Sequence, residues 1–249
     1  MKKVAICGLG LALALSGAAQ AQNLDEVLAN FYEAMGGLDK LEGIQTLKMS
    51  GTMNMGQGVE APAAMMQKRP NKVRQEFTFQ GMTGIQAFDG DSGWMHMPFM
   101  GQTAPELMPE DLLDEFREGG EIDSPLINAD DRGITLELVG TEDVEGTDAF
   151  HIKVTRSDGD VEHHYLDAEY YVPIKVTRTQ KAMGQETEVN ITLGDYKEID
   201  GLLFAHSIEM SGGQGGMSLT LTDIAVNEDI DDSLFTMPEA EEAAAPSDG

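Results

Sequence analysis

The sequence predicts a mainly β fold with a few α-helices: one curved antiparallel sheet whose apolar face the helices cover. Three observations lead there. Bulky apolar residues recur at every second position through most of the chain, as in strands with one wet and one dry face. Gly-containing turn dipeptides separate these runs at short intervals, which favours hairpins over helical crossovers. Only three stretches carry helical spacing or helix punctuation, so strand follows strand.

Residues 1–21 have the form of an export signal. Lys2 and Lys3 precede the apolar run Val4–Leu15, and Ala19-Gln20-Ala21 fits a signal-peptidase site. The run is too short for an ordinary membrane-spanning helix. Cys7 lies well ahead of the small-residue site, so it does not read as a lipid-modified cysteine. The chain expected after cleavage has no cysteine, hence no disulfide and no thiolate chemistry in the periplasm.

Asn23 can cap a helix on which Leu24, Val27, Leu28, Phe31 and Met35 share one stripe. Gly36-Gly37 ends it, because glycine accepts the left-handed backbone that closes helices. A short second helix, about Leu38 to Gly43, leads into the first strand. There Leu47, Met49, Gly51, Met53 and Met55 share one face, and Lys48, Ser50, Thr52 and Asn54 the other. The alternation continues in Phe77 and Phe79. Pro109 to Phe116 forms the third helix, with Pro109 and the acids suited to its N-terminus.

Alternation then resumes in Ile134, Leu136 and Leu138, and in Phe150, Ile152 and Val154. It returns in Val189, Ile191 and Leu193, in Phe204, His206 and Ile208, and in Met217, Leu219 and Leu221. Asp89-Gly90, Glu145-Gly146, Asp158-Gly159, Asp200-Gly201 and Gly212-Gly213 mark the turns. About ten strands in one sheet twist enough to curl toward a barrel. Helices laid loosely over its concave face would leave a cavity; tight packing would fill it. The residues after Pro238 predict a disordered acidic tail, 239–249, which leaves 22–238 as one domain.

Removing Lys2 and Lys3 leaves 14 basic residues against 44 acidic ones, a formal charge of −30. Such a surface repels nucleic acid and anionic headgroups at long range, so a nucleic-acid partner is not expected. The charge equally suits solubility or a high-salt habitat.

Signatures of enzymes are absent: there is no H-E-x-x-H, no G-x-S-x-G and no phosphate-binding glycine loop. No cofactor or catalytic residue is therefore nominated. His163 and His164 are strand neighbours that face apart, so one metal cannot easily take both; Glu162 with His164, or His164 with Asp167, could pair. His206 and Ser207 face apart for the same reason. Fifteen methionines follow the expected signal, concentrated between Met49 and Met108. They suit core filling, a wall for variable apolar ligands, or, at Met95, His96, Met97 and Met100, a Cu(I) site.

A compact basic cluster, Lys68, Arg69, Lys72 and Arg74, interrupts this acidic chain. Lys68-Arg69-Pro70-Asn71, then Asp89-Gly90, then Trp94 followed by Pro98-Phe99, resembles the periplasmic lipoprotein-carrier (LolA-like) family of outer-membrane lipoprotein-sorting proteins. Glu33 to Leu41 and Gly194-Asp195-Tyr196 resemble a broader subgroup of sorting proteins. The likeness spans roughly residues 24–237. It implies an open β-barrel of about eleven strands under lid helices, and no enzyme activity. It also implies a soluble carrier of lipidated protein or lipid acyl chains, with an inner-membrane donor and an outer-membrane acceptor. In that family the K-R-P arginine holds the lid, a role that falls on Arg69. Met97 stands where the carriers have asparagine. The candidate cavity lining is Leu47, Met49, Met53, Phe77, Phe79, Trp94, Met95, Met97 and Phe99, and a one-residue register slip would exchange Met95 and Met97 for Trp94 and His96. A lipid-sensing envelope regulator of the same shape is the alternative.

Overall fold

The computed structural model describes residues 23–56, 58–182, 185–212 and 215–238. The expected export signal and acidic tail lie outside the described residues, as does Gly213 of one expected turn. Asn23 caps helix α1 (Leu24–Ala34) by accepting a hydrogen bond from the Glu26 amide at 2.9 Å. Gly36 follows at φ +114°, so close to the sheet that a Cβ would lie 2.3 Å from the Gly201 carbonyl oxygen. Only glycine fits there. Helix α2 (Leu38–Glu42) comes next.

The strands are β1 (Thr46–Asn54), β2 (Glu60–Lys68), β3 (Lys72–Phe79), β4 (Met82–Phe88), β5 (Gly93–His96) and β6 (Glu106–Leu107). After helix α3 (Glu110–Gly119) come β7 (Thr135–Val144), β8 (Thr147–Thr155), β9 (Val161–Asp167) and β10 (Pro173–Ala182). The last three are β11 (Gln185–Ile199), β12 (Leu202–Gly212) and β13 (Gly215–Val226). Thirteen strands therefore replace the eleven or so expected. The extra ones include the two-residue β6, which has no alternation for a sequence to show.

All thirteen belong to one antiparallel sheet that does not close, in the order β6-β5-β4-β3-β2-β1-β13-β12-β11-β10-β9-β8-β7. Two meanders meet where the first strand pairs with the last. The two edges are therefore β6 and β7, which are consecutive in sequence, and the chain between them has to span the concave side. That segment carries α3, which touches β4 near one edge and β10 near the other. These contacts and its packing over Val73 and Phe88 place α3 across the concave side.

Register gathers the apolar residues of the strands onto one face, which a few polar side chains interrupt. Leu47 sits opposite Val226 and Gln67, Val73 opposite Gln67 and Phe88, and Ile152 opposite Leu138 and His164. Three clusters cover parts of it. Helix α1 buries Val27 and Phe31 against Phe150, Ile152, Val154 and Leu166. Helix α2 and Ile122 cover Leu47, Leu202 and Phe204, and α3 packs Phe116, Leu112 and Leu113 over Val73, Phe88 and Met95.

The convex face carries a strap, residues 228–236, which explains most of the basic cluster. Lys68 and Lys72 both pair with Asp232, at 2.7 and 2.9 Å. Arg74 donates to the Leu234 carbonyl and lies over the Trp94 ring. Trp94, only 2% exposed, donates its indole N–H to the Phe235 carbonyl at 2.8 Å. Trp94 is the only tryptophan and so reports on this strap. Phe235→Ala should cost about 3–5 kcal/mol in urea unfolding, because Phe235 is fully buried. Its native-state emission should also shift red, and an unshifted spectrum would mean the strap does not depend on Phe235.

Candidate functional site

The concave face beyond the helices is apolar and only partly covered. Leu193, Ile208, Leu219, Met53 and Ala61 are successive register partners across β11, β12, β13, β1 and β2. Ile191, Met210 and Met217 form a second row beside them. Apart from Ala61, these side chains are half-buried or exposed, and none belongs to the three clusters under the helices. Five strands at about 4.8 Å spacing make a greasy track about 20 Å long.

At the β3–β4 end the track meets an aromatic wall. Phe99, on a 3-10 turn after β5, packs on Phe77 and Phe79 at ring-centroid distances of 5.4 and 6.2 Å. Gly84 makes room for it: a Cβ there would meet the Phe99 ring at 2.6 Å and the Met97 sulfur at 2.8 Å. The rim beyond includes Met100 and Leu107, which are 74% and 67% exposed.

Eight of the nine expected lining residues therefore belong to this side of the molecule. Met53, Phe77, Phe79, Met97 and Phe99 border the open part, while Leu47, Met49 and Met95 pack beneath the helices. Trp94 does not belong with them. Its Cα partner is Ala87, whereas Met95 pairs with Gln86 on the inward phase, so Trp94 faces the convex strap. The same alternation disposes of a four-ligand copper site: Met95 and His96 face apart, and Met100 points into solvent. Among the described residues no group of three or more His, Asp or Glu side chains could hold a metal ion.

Arg69 ties three parts of the chain together. Its Nη1 and Nη2 donate to the two oxygens of Asp123, both at 2.6 Å, and its Nε donates to the Ile44 carbonyl just past α2. The Asp123 hydrogen bonds hold the guanidinium charge firmly and raise its pKa. The segment after α3 is thereby tied to the β2–β3 hairpin. Glu121 ties the same segment to the other half of the sheet, pairing with Arg132 and with Arg156. Tyr32 of α1 donates to the Leu126 carbonyl at 2.7 Å. Between these anchors lies a polar cleft of about 190 Å³ lined by Asn71, Arg117, Arg132 and Arg156.

Two sequence expectations about histidines are settled by the register. His163 and His164 face apart: His163 joins His151 and Glu142 on the outer face, and His164 points inward to Glu162 at 2.8 Å. Glu162 and His164 are both buried. Burial alone would raise the Glu162 pKa, but hydrogen bonds from His164 and Arg156 overcome it and hold the carboxyl at about 2. Sequence reasoning missed Asp123, Glu121 and Arg178. An arginine two residues after Val176, on the phase of an apolar strand face, was the available signal for the last.

No family model and no curated relative matches the sequence. Solved structures share the fold. A domain from Vibrio parahaemolyticus described as an outer membrane lipoprotein-sorting protein superposes with a TM-score of 0.57 at 15% identity, covering 84% of this chain and 94% of its own. A LolA superfamily protein from Nitrosomonas europaea gives 0.54 at 14% identity, covering 87% and 98%. A DUF1329 family protein from Desulfovibrio piger gives 0.55 at 12% identity, covering 83% and 95%. The chain therefore has a LolA-like fold, and at these identities the likeness concerns the fold alone.

The Glu162 network makes stability pH-dependent in a definite direction. The folded pKa lies below the unfolded value of about 4.5, so the stabilisation is complete above that value and drains away as pH falls toward 2. By pH 3 the wild type should lose about 2 kcal/mol through this group. Glu162→Gln should forfeit its share already at pH 6 and show a flatter profile in urea titrations at the two pH values. Parallel profiles would remove Glu162 from the account.

Proposed function

We propose that this protein is a non-enzymatic periplasmic carrier or binder of acylated cargo, lipidated protein or lipid, whose chains lie along the uncovered track from Leu193 to Met53. The observation that carries the reading is that track: an apolar stretch of sheet across β11, β12, β13, β1 and β2 that lies outside the clusters packed under the helices. A monomeric protein rarely leaves such a face in water unless something occupies it. The energetics fit the task. Moving a 16-carbon chain from lipid to water costs on the order of 12 kcal/mol, at about 0.8 kcal/mol per methylene, so a shuttle has to replace most of that contact. Met53, Met210 and Met217 supply adaptable walls that can accept and surrender chains of differing shape. Among the described residues no helix is long and apolar enough to cross a membrane. The shared fold with one solved structure described as an outer membrane lipoprotein-sorting protein adds weight.

The Arg69–Asp123 fork would hold the lid segment over the track. Two outcomes are expected. Leu219→Asp, in the middle of the track, should weaken binding of the neutral fluorophore N-phenyl-1-naphthylamine at least about tenfold, since a buried carboxylate opposes apolar contact. Arg69→Leu should speed fluorophore dissociation about tenfold, while costing only a few degrees of melting temperature. No fluorescence enhancement with the wild-type protein, together with no lipid in organic extracts of it, would end the carrier reading. Unchanged dissociation in the Arg69 variant would end only the gate.

A further inference from the structure

Arg178 stands on the concave face of β10 and forms no ion pair among the described residues. Its register partners are Glu162 on β9 and Val189 on β11, which fixes it on the inward phase with Val176. The side chain is half-buried, and its Nε is buried without a hydrogen-bond partner. Glu162 lies directly opposite but is already engaged: one oxygen accepts from Arg156 Nε at 2.6 Å and the other pairs with His164 Nε2 at 2.8 Å.

The location gives this loose end a meaning. Arg178 and Val189 adjoin the row His164, Val176, Ile191, Met210 and Met217, and that row adjoins the track through Leu193, Ile208, Leu219 and Met53. A guanidinium thus sits at the head of an apolar path, partly withdrawn from water. A planar fork of donors in that setting matches a carboxylate or phosphate, whose charge it can meet with two parallel hydrogen bonds. The rest of the molecule is strongly acidic, so a local cation on the track is what lets an anionic ligand enter against the overall field.

We propose that Arg178 is the headgroup anchor of the track, and that the ligand class is an anionic acyl amphiphile: a hydrocarbon chain ending in a single carboxylate or phosphate. The assignment rests on the carrier reading above and narrows it, because the anchor selects for a free acid or phosphate head over a neutral one. The chain lies along Ile191, Ile208 and Leu219, and the head meets Arg178 where Glu162 is already committed to Arg156 and His164.

Displacement of N-phenyl-1-naphthylamine by dodecanoate, dodecyl phosphate and dodecanol tests this. In the wild type at least one anion should displace the fluorophore at a concentration about tenfold lower than dodecanol, the effect of one charge-assisted hydrogen-bonded pair. Whichever anion is preferred identifies the head as carboxylate or phosphate. Arg178→Met should erase the preference and leave dodecanol displacement unchanged, which also shows that the variant is folded. Arg178→Gln, of similar polarity but without charge, should lose the same preference and serves if the methionine variant misfolds. A preference that survives both substitutions, or a wild type that binds the fluorophore but ranks the three compounds equally, overturns the Arg178 assignment and leaves the carrier reading intact. A wild type that binds none of the four overturns both.

Discussion

A sheet that is largely apolar on one face cannot be left flat in water, and this constraint organises the molecule. Twelve junctions between neighbouring strands, each turning by roughly 20–25°, curl the sheet around its own apolar side. Closure into a barrel would remove the edges, but the two meanders end on β6 and β7, which remain apart. Helices α1, α2 and α3 then do the covering. They bury the parts of the face near β7–β9, β1 with β12, and β3–β5. The uncovered remainder, along β11, β12, β13 and β1, is the track.

The β2–β3 hairpin holds covers on both sides of the sheet at once. Inward, Arg69 grips Asp123 and the Ile44 carbonyl, which secures the segment leaving α3 and the end of α2. Outward, Lys68 and Lys72 share Asp232, and Arg74 reaches the Leu234 carbonyl. The Asp232 carboxyl is held below the ordinary range by its hydrogen bonds from Lys68 and Lys72. Such surface pairs contribute little stability singly. Their role is positional, since the buried contacts of Phe235 and Trp94 supply most of the strap's binding energy.

Polar groups on the concave side are few, and their satisfaction is uneven. Glu162, His164 and Arg156 gather around a buried carboxylate, and Glu121, in the segment after α3, extends the set to Arg132. Leaving a buried donor or acceptor unpaired is costly, so structures rarely retain one without cause. Arg178 Nε and Asn71 Oδ1 are two such atoms here, the first beside the track and the second against Gly120 just after α3. The contrast between the satisfied Glu162 and the unsatisfied Arg178, two residues facing one another, is what separates a structural network from a binding group.

The sequence by itself determined the class and the punctuation. Period-two alternation marked β1, β3, β8, β11, β12 and β13, Asn23 and Gly36 bounded α1, and a K-R-P-N turn with its following D-G hairpin indicated the family of folds. These signals are local, carried by residues a few positions apart. Trp94 shows where local signals stop: alternation assigns it and Met95 to opposite faces but does not say which face is concave. Only the pairing of Trp94 with Ala87, beneath a strap from the far end of the chain, decides that. The partner of Arg69 and the isolation of Arg178 are likewise tertiary products: Asp123 reaches Arg69 from a loop after α3, and Glu162, opposite Arg178, is held instead by Arg156 and His164.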